Sequence, residues 1–391
     1  MGVRSALFTF IVSRVIALAG AWVGIGQLVA SEPVRNKGLL VEGAMMWDGS
    51  WYWQVVSHGY YAWTPQTGSD LAFCPAYPLL LRGLTGLLDL LRLYIGVPGF
   101  GNFALVGLLV SNLAFFAALL LLWRLVRLDH PAPIADRTLL LIAIFPTGLF
   151  WSAIYTESLF LLMVVGVFWL ARQERWALAA VLAGLAGVTR WVGVLLGLVL
   201  LVEYFTTQPR GHVLRYWWLL LVPLPLLAYM AYLQAAFGNP LAFLQAEQQG
   251  WLHTSSFPPQ VWLDSLGRLL ASWGTTTPAT DPVFMLGGGQ RLYMYQDLAF
   301  TVLFAGIAVF AGVKRLLRPS ELTWLVLGLL FPLSLGTTIG AARYLLPLWP
   351  AFLVGARLLT PRRPLEAGWL LASSALLAAT AYFWASGHWM D

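Results

Sequence analysis

Residues 138–172, TLLLIAIFPTGLFWSAIYTESLFLLMVVGVFWLAR, decide how this chain folds. Two apolar runs are parted by Ser152-Ala153-Ile154-Tyr155-Thr156-Glu157, and each run is short for a membrane crossing of about 20 residues. Read as one bent helix, the segment strands Glu157 at mid-membrane, at a cost on the order of several kcal/mol. Read as two crossings, it brings Glu157 to a membrane boundary. The same choice recurs at 176–204, where Thr189-Arg190 separates two apolar runs.

Charge decides between the readings. Clear crossings lie at 6–30, 103–126, 216–237, 296–313, 322–341, 344–360 and 366–387. Two crossings at each ambiguous place bring the total to about eleven helices. With the N-terminus inside, the inner turns collect Arg124, Arg127, Arg137, Arg172, Arg175, Arg210, Arg215, Lys314, Arg315, Arg318, Arg357, Arg362 and Arg363. The outer side keeps Arg35, Lys37, Arg82, Arg92, Arg190, Arg268, Arg291 and Arg343, mostly within long loops. Making just one of the two regions a single crossing inverts everything downstream and destroys this positive-inside bias.

Composition agrees. Hydrophobic residues make up 59% of the chain and charged residues 10%, against about 25% charge in soluble domains. The expected fold is an all-α polytopic membrane protein, one domain over 1–391. The net charge of +6 does not point to nucleic acid, because the basic residues flank apolar segments and form no run. Cys74 is the only cysteine, which excludes an intrachain disulfide. The first apolar segment carries Arg14 and outruns the 7–15 residues usual for a signal-peptide core, so it reads as a first crossing.

Two long outer segments follow. The first, 31–102, holds an expected interfacial helix around 76–93. The second, 238–295, is rich in Pro, Gly, Thr and aromatics, and its Gly287-Gly288-Gly289 reads as a hinge. Within the first, Trp47-Asp48-Gly49-Ser50-Trp51-Tyr52-Trp53 sets one carboxylate among aromatic rings in a segment read as non-helical, with Asp-Gly as a turn signal. Rings on both sides suit a stacked sugar, and a carboxylate in a half-dry pocket has a raised pKa and becomes a competent general base. Glu157, Arg190 and Arg343 fall on the same side near helix ends. They are either part of that site or a structural ion-pair set.

Other chemistry lacks support. The five histidines are scattered and His58 reads as a hydrogen-bonding loop residue, so no metal site is expected. There is no Asp-X-Asp pair, Walker A sequence, Gly-X-Ser-X-Gly elbow or His-Glu-X-X-His. A transporter or flippase of a lipid-linked sugar, and a non-catalytic scaffold subunit, remain as competing readings.

Four blocks carry a resemblance. Trp47-Asp48-Gly49 with His58-Gly59-Tyr60 leads into Phe73-Cys74-Pro75-Ala76-Tyr77-Pro78. Phe145-Pro146-Thr147-Gly148 follows, running on through Tyr155-Thr156-Glu157-Ser158-Leu159-Phe160. Last come Leu185-Ala186-Gly187-Val188-Thr189-Arg190 and Arg343-Tyr344-Leu345-Leu346-Pro347. In this order they resemble the GPI mannosyltransferase 2 (phosphatidylinositol-glycan class V) family of the GT-C glycosyltransferase superfamily. Cys74 stands where that family commonly has an aromatic.

The resemblance implies a GT-C type bundle and an inverting transfer, most simply of mannose, from a polyprenyl-phosphate donor to a lipid or glycan acceptor. It implies Asp48 as general base, Trp47 and Gly49 shaping its loop, and Glu157, Arg190 and Arg343 lining the site. His58, Tyr155 and Tyr344 complete the expected substrate-binding set. No cofactor or metal is expected, and membrane lipids are the surrounding partners. A donor sugar other than mannose stays open. The compact chain and short loops fit a bacterial cytoplasmic membrane, with the site on its extracytoplasmic side.

Overall fold

The computed structural model describes residues 2–31, 46–62, 69–93, 100–208, 213–250, 253–271 and 288–388. Among these the regular elements are all helical. The long helices are α1 (Gly2–Ser31), then α2 (Asp48–His58) and α3 (Ala76–Leu90) in the first outer segment, and α4 (Phe100–Val126). There follow α5 (Ala132–Ala143), α6 (Glu157–Arg172), α7 (Trp176–Gly187), α8 (Leu196–Thr207) and α9 (Leu224–Phe237). The second outer segment supplies α10 (Ala242–Gly250) and α11 (Pro258–Ala271). The rest are α12 (Gly288–Val313), α13 (Pro319–Leu333), the single turn α14 (Ala341–Tyr344), α15 (Trp349–Leu359) and α16 (Arg363–Ala385). Among the described residues five helical stretches are long and apolar enough to cross a membrane, and shorter apolar helices fill in between them. The chain is a multi-pass membrane protein.

Side-chain ties sort the helix ends into two sets. At one end Arg172 grips Asp129 through two bonds of 2.6 and 2.9 Å, Arg318 reaches Glu203 at 3.0 Å, and Arg137 meets Glu366 at 2.6 Å. Ser320 also bonds Glu203. At the other end the breaks at 144–156, 188–191 and 334–344 meet the outer-segment helices. Taken in chain order, α1, α4, α5, α6, α7, α8, α9, α12, α13, α15 and α16 follow the alternation expected for eleven crossings, six of them within stretches shorter than those that cross a membrane alone. Both ambiguous regions are therefore paired helices. Residues 144–156 form a turn with a 3-10 stretch at Gly148–Trp151, and α8 is entered through a 3-10 stretch at Trp191–Leu195.

Several boundaries differ from expectation, for local reasons. The segment 322–341 stops being helical at Leu333, one residue past Pro332, and Gly336 and Gly340 then turn the chain with φ of 81° and 75°. The expected helix at 344–360 starts only at Trp349, with Pro350 in its first turn. Residues 216–237 are not one helix: a 3-10 stretch, Val213–Leu221, gives way to α9 at Pro223. Prolines lack the N–H that a continuous ladder needs. Gly288 and Gly289 open α12, which overturns the hinge reading for them, and Gly287 lies outside the described residues.

The interfacial helix is present at 76–90. It buries Tyr77, Leu81 and Thr85 and turns Leu79, Leu80, Leu84 and Leu87 outward. That spacing of three and four residues is an amphipathic stripe.

Two apolar cores result. The larger lies within the bundle around Phe145, Trp151, Phe160, Trp324 and Trp349. The smaller joins the outer segments to the bundle through Tyr52, Phe73, Tyr77, Phe103, Tyr229 and Phe243. Residues 46–56 bridge them, with Met46 and Trp47 packed on the first core and Tyr52 and Val56 inside the second. Asp48 sits at that junction.

Candidate active site

Asp48 opens α2, so the reading of this stretch as non-helical is corrected. Gly49 N–H bonds the Met46 carbonyl at 3.2 Å and Ser50 N–H that of Trp47 at 3.0 Å, which starts the helix. An acidic residue in a first helical turn is favoured by the helix dipole. Tyr52, Val55 and Val56 then recur at helical spacing on the buried face. The entry is strained: Trp47 has φ 59° and ψ −115°, a sparsely populated positive-φ conformation costing about 1–3 kcal/mol for a non-glycine residue. Tyr155 locks this corner, its hydroxyl accepting from Asp48 N–H at 3.1 Å and donating to the Met46 carbonyl at 3.3 Å.

Four charged side chains from distant parts of the chain converge here. Arg343 Nη1 donates to Asp48 Oδ2 at 2.9 Å, and its Nε lies 3.0 Å from Glu157 Oε1. Arg190 Nη1 bonds the same Glu157 oxygen and also Thr156 Oγ1 at 3.1 Å. The guanidiniums lie against rings: Arg190 4.5 Å from the Tyr344 centroid, and Arg343 5.3 Å from Tyr155 and 5.5 Å from Phe150. Asp48 is 7% exposed and Glu157 1%. Two carboxylates and two guanidiniums therefore share one nearly dry pocket with no net charge. Burial pushes the Asp48 carboxyl above its usual 3.8, Arg343 pulls it back, and Glu157 adds to the push.

Of the expected residues, the structure unites Asp48, Trp47, Gly49, Tyr155, Glu157, Arg190, Arg343 and Tyr344. It does not bring His58 among them. His58 ends α2 on the exposed side, its Nδ1 2.8 Å from Ser57 Oγ. Ten residues of helix, about 15 Å, separate it from Asp48. Among the described residues no group of three or more His, Cys, Asp and Glu side chains converges as a metal site.

Asp297 escaped the sequence reading. It lies on α12, 1% exposed, and accepts Ala342 N–H at 2.7 Å and Gly340 N–H at 3.1 Å. Thr147 donates to the Ala342 carbonyl at 3.2 Å from the other side. Together they clamp the turn that carries Arg343, and Gly340 supplies its left-handed φ. The available signal was a lone acid inside an apolar helix, which asks for a partner. Asp297→Ala frees that turn and should lower kcat/KM about 10²-fold, the usual scale of a 1 Å misplacement. Wild-type activity in a purified, folded Asp297→Ala protein would show that the clamp does not position Arg343.

A multi-pass bundle with a buried, charge-balanced centre at one end is the class of molecule in hand. The mannosyltransferase (PIG-V) family model matches residues 28–206, which bears out the resemblance drawn from the motifs. The match takes in Asp48, Glu157 and Arg190, and Arg343 lies beyond it. Among solved structures, the Archaeoglobus fulgidus oligosaccharyltransferase in the apo form is similar at TM-score 0.46 and 14% identity, over 96% of this chain and 56% of that one. The archaeal oligosaccharyltransferase AglB from Archaeoglobus fulgidus, in complex with an inhibitory peptide and a dolichol-phosphate, is similar at TM-score 0.41 and 14% identity, again over 96% and 56%. The chain thus spans little more than half the length of these solved proteins. Comparison with curated proteins finds no match.

Proposed function

We propose that this chain is a GT-C-type membrane glycosyltransferase that moves a sugar, most simply mannose, from a polyprenyl-phosphate donor to a lipid or glycan acceptor. The observation that carries the reading is the Asp48–Arg343–Glu157–Arg190 chain of contacts, of which Asp48, Glu157 and Arg190 fall within the family match.

The two ends of Asp48 have different tasks. Oδ2 is held by Arg343, while Oδ1 has no hydrogen-bond partner among the described residues and takes the acceptor's proton. The acceptor oxygen attacks the anomeric carbon as the bond from that carbon to the phosphate oxygen breaks. One displacement inverts the anomeric configuration, and polyprenyl phosphate leaves with the electron pair.

Arg190 is the better phosphate holder. Its side-chain bonds all run through Nη1, which leaves Nε and Nη2 for an anion. Arg343 spends Nη1 and Nε on the two carboxylates and orients Asp48. The buried Trp47 indole N–H, which has no hydrogen-bond partner among the described residues, is a further donor on the residue next to Asp48. Fixed donors in a dry pocket stabilise a departing phosphate without needing to reorganise.

The positive-inside rule supports a cytoplasmic arginine-rich end and, with it, an extracytoplasmic Asp48. Reconstituted protein given polyprenyl-phosphomannose with its headgroup on that side should form product of inverted configuration, read by NMR of the anomeric centre. Retained configuration would reject single displacement.

A further inference from the structure

Next to the Asp48 centre, a carboxylate and an imidazole from the second outer segment meet an indole from the bundle, and the reaction described above uses none of them. Glu247 Oε1 accepts from the Trp191 indole N–H at 3.1 Å, and Glu247 Oε2 lies 2.7 Å from His253 Nδ1. Trp191 directly follows Arg190 in the chain. Tyr344, whose ring lies against Arg190, connects the two groups electrostatically. Its hydroxyl is pushed up by burial, pulled down by the two guanidiniums, and pushed further by Glu247 and Asp48.

The group is half open: the Glu247 and His253 side chains keep 19% and 20% of their exposure. It also has hydrogen-bonding capacity to spare. A carboxylate offers about four lone-pair positions, and one bond to each oxygen leaves an acceptor on both. His253 Nε2 makes no bond among the described residues. The apolar side is covered: Phe243 stacks on Trp191 with centroids 4.3 Å apart, and the Tyr229 ring stands 6.2 Å away. A tie that merely joined two loops needs no carboxylate acceptor left open at its rim. Neighbouring acceptors beside an aromatic wall match the hydroxyl face of a pyranose, whose O–H groups donate.

We infer that Glu247, His253 and Trp191 form a hydroxyl-binding subsite for a sugar ring adjacent to Asp48. The inference rests on the glycosyl-transfer reading, and the sugar can belong to either substrate.

Binding measurements on the full-length protein in nanodiscs test it apart from turnover, with decaprenyl phosphate, decaprenyl-phosphomannose and octyl α-mannopyranoside as probes. Glu247→Gln should weaken a mannose-bearing probe about tenfold or more, the scale of a lost charged hydrogen bond. Decaprenyl phosphate affinity and Tm should stay unchanged. His253→Gln should act in the same direction. Loss confined to decaprenyl-phosphomannose assigns the subsite to the donor sugar, and loss on octyl mannoside assigns it to the acceptor.

The inference is overturned if both variants bind every probe as wild type does, or if wild type shows no sugar-dependent affinity. It is equally overturned if all probes weaken together with a fall in Tm, the mark of a structural tie. Sugar binding that depends on Glu247 in a protein that transfers nothing would leave the subsite standing and remove the reaction.

Discussion

Asp48→Asn is expected to lower sugar transfer by about 10²–10⁴-fold, the usual contribution of general-base assistance, in a protein that still folds and still binds polyprenyl phosphate. Asn keeps the shape and can still accept from Arg343 at the position of Oδ2. What it cannot do is carry away the acceptor's proton. The wild-type pH profile supplies a second readout. The base works only when ionised, so kcat/KM should fall as pH drops through the Asp48 pKa. Burial sets that pKa above 3.8, which puts the acid limb above the range of an exposed aspartate. A profile flat down to pH 4, or an Asp48→Asn enzyme with full turnover, would remove Asp48 from the reaction.

The second large effect belongs to Arg343→Ala. Arg343 touches both carboxylates, so its loss leaves Asp48 without its cation and Glu157 with Arg190 alone. Removing one partner of a buried ion pair typically costs about 3–5 kcal/mol, because the remaining charge stays buried and uncompensated. Part of that is offset here by Arg190. The resting site drops to a net charge of one minus, and transfer should fall on the order of 10²–10³-fold, the scale of losing a preorganised donor.

The pH profile again separates roles. Arg343 does more than Arg190 to pull the Asp48 pKa down, so the surviving activity should show its acid limb moved to higher pH. Arg343→Lys keeps a charge but not the planar fork that spans Asp48 and Glu157, and should fall between the two. An acid limb that does not move in either variant would mean that Arg343 does not act on Asp48.

How much of this was legible in the chain depends on the kind of signal. The paired crossings around Glu157 and Arg190 were readable because a charge at mid-membrane is so unfavourable that the turn must bring it to a boundary. Arginine placement then oriented the rest. The meeting of Asp48, Glu157, Arg190 and Arg343 followed from that topology, although which side chain grips which did not. Arg343 bridging two acids depends on a turn set by Gly340 and clamped from α12 by Asp297, a contact 45 residues away in sequence.

The helix at 48–58 was hidden by its own N-terminus. Asp-Gly followed by aromatics looks like a turn, and the buried stripe of Tyr52, Val55 and Val56 is too short to outweigh it. The packing of the second outer segment onto the bundle was likewise invisible, because Phe243 and its bundle partners Trp191 and Tyr229 show no pairing signal along the chain. His58 was drawn into the expected site by motif order alone. Helical geometry carries it away from Asp48.

The measurement that bears most directly on the central claim uses polyprenyl-phosphomannose labelled with one isotope in the mannose and another in the phosphate, incubated with reconstituted protein. A transferase parts the labels, sending mannose into product and leaving phosphate on the polyprenol, and does so only when Asp48 is intact. Labels that stay together while the intact lipid crosses the bilayer would make this molecule a transporter and contradict the assignment.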